Sequence, residues 1–209
     1  MGIKSFTVGY WQKEGLILDQ EHEDVYKVTS RIIGKLKAQE EMSSGKAALA
    51  ALRHSIGKPL GAVPDIWPIM LDDMPEEFLS HNGIETKEEL AIYAALQLYA
   101  LQRQGTRGKA NTESVQNIGE ALQKIRKGNG QEALDRRFVA ALSATSFTGL
   151  VYQLRQLMKL AKAKGASPVN FAALAKDFYW YQMGAKEKIC LRWAEAYYQK
   201  GNKVESDSI

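Results

Sequence analysis

The chain of 209 residues is 45% hydrophobic and 25% charged, which excludes disorder as the default and allows one larger core or two small ones. The lone Cys190 excludes an internal disulfide and fits a reducing cytoplasm, and without an apolar run of about 18 residues or a signal-like h-region in MGIKSFTVGYWQKEG, neither membrane insertion nor export is expected. The net charge of +4 is uneven: residues 1–104 hold 11 Lys and Arg against 15 Asp and Glu, and residues 105–209 hold 17 against 9, so the second half should attract polyanions.

Apolar residues recur at three and four places and almost never alternate, so the chain reads as all-α. Residues 22–41 align Val25, Val28, Ile32 and Leu36 on one stripe. A second helix is predicted from an N-cap at Ser43 or Ser44 to the stop signals Gly57 and Pro59. Pro64, Pro68 and Pro75 then allow only short helical pieces, around Ile66 to Leu71 and Glu76 to Leu79. Thr86-Lys87-Glu88-Glu89 forms a capping box that opens a helix through Leu101, apolar on most sides and therefore central.

The segment QRQGTRGKAN, residues 102–111, sets glycines between cations and marks a domain boundary. Beyond it, Thr112 should cap a helix carrying Ile118, Leu122 and Ile125 that ends at Gly128. Further helices are predicted over residues 131–144, 146–164, a segment holding Phe171, Leu174 and Phe178, and residues 185–199. The expected architecture is two small helical bundles joined by a short linker, with domains at 1–104 and 105–209.

Ser44-Gly45-Lys46 suggests the end of a phosphate-binding loop. That loop requires Gly five residues earlier and a hydroxyl next, where this chain has Glu40 and Ala47, and it must follow a strand. His22, His54 and His81 have no second ligand at metal spacing, and the acidic pairs Asp72-Asp73, Glu76-Glu77 and Glu88-Glu89 suit helix starts. Ser55, Ser143 and Ser146 lack a base nearby in sequence. No metal, cofactor or catalytic set is therefore expected.

The cations carry more information. Lys46 and Arg53, seven apart, lie about 20° from one another around a helix, and Arg155, Lys159 and Lys162 repeat at i, i+4 and i+7. Arg103, Arg107, Arg126, Arg136, Arg137 and Arg155 all fall in a strongly basic segment, and the guanidinium fork suits phosphate. Such faces can follow a nucleic-acid backbone. Tyr179, Trp180, Tyr181 and Trp193 could stack on bases, although their helical spacing favours a core role.

The stretches GKAALAALRHSIGKPLG, IGEALQKIRKG, ALDRRFVAALSATSFTGLVYQLRQLMKLA and VNFAALAKDFYWYQMGAKEKICLRWAEAYY, in this order, resemble the CasB family, the small subunit of the type I-E CRISPR surveillance complex Cascade. The similarity covers most of residues 20–199. It implies a non-catalytic helical protein that sits as a pair beside the backbone and large subunits. There it would hold the hybrid of guide RNA and target DNA and steady the displaced strand of the R-loop.

The family's basic positions match Arg53, Arg136, Arg137, Arg155, Lys186 and Lys188, while His54 stands where relatives carry a second arginine. Lys46, Arg107, Lys109 and Lys159 are assigned to nucleic acid on charge and helical placement alone. The alternative is a transcriptional regulator that reads duplex DNA with a helix-turn-helix, built from the two helices of residues 116–144.

Overall fold

The spacing of apolar residues is realised as helices throughout. The computed structural model describes residues 25–105, 117–126, 130–166 and 168–199, and among them no strand occurs. Helix α1, residues 25–38, buries Val25, Val28, Ile32 and Leu36. Helix α2 is Ser43–His54, and its N-cap is Met42 rather than either serine. The start is set by packing: Gly45 lies against the Gln39 carbonyl, so closely that a Cβ there would overlap it. This contact, and not a hydroxyl cap, fixes where the helix begins.

The proline-rich stretch folds as short turns: 3-10 segments Leu60–Ala62 and Pro64–Ile66, the single turn α3 (Trp67–Met70), and two more 3-10 segments, Leu71–Asp73 and Glu76–Phe78. Helix α4, Lys87–Arg103, has the capping box: Glu89 N–H donates to Thr86 Oγ1 at 3.1 Å, and Thr86 N–H donates to Glu89 Oε2 at 2.8 Å. Every residue from Ala91 to Leu101 is buried.

Helix α5, Ile118–Gln123, is capped by Asn117, whose Oδ1 accepts from Glu120 N–H at 3.0 Å. The expected cap Thr112 lies outside the described residues. Helices α6 (Gln131–Leu142), α7 (Phe147–Ala163), α8 (Phe171–Trp180) and α9 (Lys186–Tyr198) follow. Between the last two, Tyr181–Ala185 form a wide π turn in which Gly184 adopts φ +93°, a left-handed conformation that favours glycine.

The helices gather into two compact units, Met1–Gly108 with Phe171–Gly184, and Lys109–Asn170 with Ala185–Ile209. A cut after residue 104 does not divide the chain in this way, because α8 joins the first unit. The physical reason is α4. A helix apolar on most sides must be covered on more than one side, and here α2 packs on one part of it and α8 on another. Phe171 of α8 meets Tyr99 of α4 edge to face, with ring centroids 5.6 Å apart.

Polar groups inside the first unit are paired across the same helices. Gln97 Nε2 donates to Ser55 O at 3.0 Å, and Tyr93 O–H lies 3.2 Å from both Ser55 O and Lys58 O. Side chains of α4 thus reach carbonyls of the turn that follows α2. Burial raises the Tyr93 pKa above that of an ordinary phenol, so the hydroxyl stays a donor.

In the second unit α5 packs on α9 and α6 on α7. Gly119 lets α5 approach the Trp193 carbonyl of α9 so closely that no side chain would fit. Phe138 of α6 meets Tyr197 of α9 with ring centroids 4.1 Å apart. These contacts leave the remaining faces of α6, α7 and α9 to carry the charge.

Candidate nucleic-acid interface

The second unit is the basic one, with 15 Lys and Arg against 8 Asp and Glu; the first has 13 against 16. Within α6 the buried residues Leu134, Phe138 and Ala141 define one side, and Arg136 and Arg137 are exposed. Arg136 is 76% exposed and has only a loose i,i+4 approach to Glu132, 4.0 Å between Nη1 and Oε2. A surface pair of that length contributes little to stability, so the guanidinium remains available to an external anion.

Helix α7 turns Leu150, Leu154, Leu157 and Ala161 inward and leaves Lys159 exposed. Arg155, half-buried on its flank, has a buried Nε with no hydrogen-bond partner. On α9, Lys188 is exposed. Its neighbour Lys186 instead donates from Nζ to the Ala144 carbonyl at 2.7 Å, tying α9 to the turn after α6. Cys190 Sγ lies 3.6 Å from Leu142 O, so the first half of α9 lies beside the end of α6.

The structure therefore brings Arg136, Arg137, Arg155, Lys159, Lys186 and Lys188 onto three helices of one unit. Lys46 and Arg53 belong to the other unit and are both engaged. Lys46 Nζ donates to Glu41 O at 2.7 Å, and half-buried Arg53 approaches Ala100 O at 3.5 Å. Arg107 and Lys109 lie outside the described residues.

Two arginines of the basic segment serve the fold. Arg103 grips Glu40 through Nε at 2.9 Å and through Nη2, joining the end of α4 to the chain between α1 and α2. Arg126 grips Asp135 at 2.8 and 3.0 Å and lies over the rings of Tyr197 and Tyr198, 5.2 and 4.9 Å from their centroids. The Arg126 hydrogen bond holds the Asp135 carboxyl below its ordinary pKa. Burial raises the Tyr197 phenol, whose hydroxyl also donates to Asp135.

Tyr179, Trp180, Tyr181 and Trp193 are all buried, as their helical spacing favours. The most exposed aromatic among the described residues is Tyr152 on α7, at 57%, followed by Tyr198 and Trp67. Its signal was present: two, four and six places from it sit Leu150 and Leu154, Gln156, and Met158, and the helical angle sets Tyr152 opposite the buried leucines.

Among the described residues no group of three or more His, Cys, Asp or Glu could hold a metal ion, and no helix is long and apolar enough to cross a membrane. The arrangement is that of a helical protein that presents cations from packed helices.

Comparison with known proteins gives the particular family. Residues 48–198 match the model of CRISPR-associated protein Cse2, and the chain belongs to that family. A relative called CRISPR-associated protein Cse2, from Thermus thermophilus, is 28% identical over 178 residues, covering 84% of this chain and 92% of its own. The crystal structure of CasB from Thermobifida fusca superimposes with a TM-score of 0.66 at 21% identity, over 84% of this chain and 98% of that one. That of CasB from Thermus thermophilus gives 0.60 at 26% identity, over 81% and 97%. The all-α fold of the CasB structures is the fold of this chain.

Proposed function

We propose that this protein is a non-catalytic, sequence-independent nucleic-acid-binding subunit of a type I-E Cascade complex, where it stabilises the guide–target hybrid and the displaced strand of the R-loop. Family membership supports the place in a CRISPR effector with other Cas subunits. The observation that carries the binding role is the exposed pair Arg136 and Arg137 on α6, in the same basic unit as the cations of α7 and α9. R-loop formation exchanges two duplexes of similar stability, so a few phosphate contacts decide whether it persists. A cytoplasmic setting, pairing of two copies and contact with the backbone and large subunits belong to the same reading. The regulator loses its support, because α5 packs mainly on α9 and α6 on α7 rather than on each other.

The test is an Arg136→Ala, Arg137→Ala double variant assembled into the complex. Both side chains are exposed, so folding should be within about 0.5 kcal/mol of the parent. Target DNA should dissociate roughly tenfold faster at physiological salt, and the salt dependence should fall by about 0.7 to 0.9 per lost phosphate contact. An unchanged dissociation rate with an unchanged salt slope overturns the reading.

A further inference from the structure

Tyr152 is the most exposed aromatic side chain among the described residues. On α7 it lies opposite the buried side formed by Leu150, Leu154, Leu157 and Ala161, and it is 57% exposed. A single exposed ring is common on protein surfaces, and what distinguishes this one is its neighbours.

One turn along the helix is Arg155 and two turns along is Lys159, about 10.5 Å away and about 20° around the axis. The whole of α7, FTGLVYQLRQLMKLAKA, contains no acidic residue. Lys162, in the last turn, is accounted for by the negative end of the helix dipole; Arg155 and Lys159 lie further from that end. The buried Nε of Arg155 has no partner, and among the described residues no carboxylate engages its guanidinium.

We propose that the outward face of α7 is a platform for single-stranded nucleic acid, on which the Tyr152 ring stacks with an unpaired base while Arg155 and Lys159 meet the adjoining phosphates. This rests on the nucleic-acid-binding role proposed above and makes it more specific. A ring stacks on any base, so it adds affinity without reading sequence, and it can do so only where the base is not already enclosed in a duplex. Cations alone would bind duplex and single strand alike. The cation and aromatic pairing therefore assigns α7 to an unpaired strand. The uniform sign of the charge disfavours pairing of this face with the same face of a second copy.

The experiment measures equilibrium binding of the full chain to a labelled mixed-sequence single strand and to the duplex of the same length, across a salt series. Tyr152→Ala should weaken single-strand binding roughly five- to 150-fold, leave duplex binding unchanged, and preserve the salt slope, since the ring makes no ionic contact. Tyr152→Phe should bind as the parent does. Lys159→Ala should instead lower the single-strand salt slope by about 0.7.

Equal losses on both nucleic acids, no loss with Tyr152→Ala, or no rescue by Tyr152→Phe overturns the platform. So does a Tyr152→Ala variant that binds normally but sediments with a changed oligomeric state, because the face is then a protein interface. A parent chain that binds neither nucleic acid at low salt defeats the broader role as well. The two failures are therefore distinguishable.

Discussion

Asp135 shows how a cation that looks available can be committed to the fold. It accepts two hydrogen bonds from Arg126 and one from Tyr197, and so fastens the segment after α5 to α6 and α9. Its folded pKa is lowered, chiefly by Arg126. The linked stability is therefore present above the unfolded carboxylate value of about 3.9 and is lost as pH falls through the folded value. Asp135→Asn should be less stable than the parent at pH 7, with the gap narrowing below about pH 4; urea midpoints from pH 7 to 3 measure this, and a constant gap refutes it. Sequence alone displayed six arginines of apparently equal standing. The partners of Arg103 and Arg126 are 63 and 9 residues away, and only folding brings Glu40 and Asp135 to them. Arg136 and Arg137, on the outer side of an amphipathic helix, were legible because their exposure follows from periodicity.

Among the elements, those set by local chemistry could be read from the chain. The Thr86 to Glu89 capping box, the leucine stripe of α7 and the proline-broken turns all depend on neighbours within a few residues. The start of α2 does not. Serines at 43 and 44 have the right chemistry for a cap, but the approach of Gly45 to the Gln39 carbonyl places Met42 there instead. Gly45→Ala should accordingly cost about 1–3 kcal/mol by forcing the segments apart. A fall in the denaturation midpoint at unchanged slope is the expected readout, and a variant as stable as the parent would show that the approach is not needed. The exposure of Tyr152 was legible, since its angle from the leucines is fixed by the same periodicity.

At the scale of the whole chain, the first unit's leading segment is Met1–Gly108, and a change of composition along the chain cannot reveal that α8 belongs to the same unit. What α4 lacks is cover, and any amphipathic helix further on could supply it. A fragment of residues 1–104 should therefore aggregate or remain poorly folded, and adding a peptide of residues 168–185 should restore a cooperative thermal transition by circular dichroism. A fragment that folds unaided would show that α8 is dispensable. The same crossing has a consequence in time. Between Arg103 and Phe171 lie 67 residues, so at about 5–20 residues per second a growing chain leaves α4 without α8 for about 3 to 13 s. The second unit waits too, because α5 needs α9. Both units thus close only after residue 170 has emerged from the ribosome, and a chain stalled before that point presents the uncovered run from Ala91 to Leu101 to whatever chaperone or sister chain arrives first.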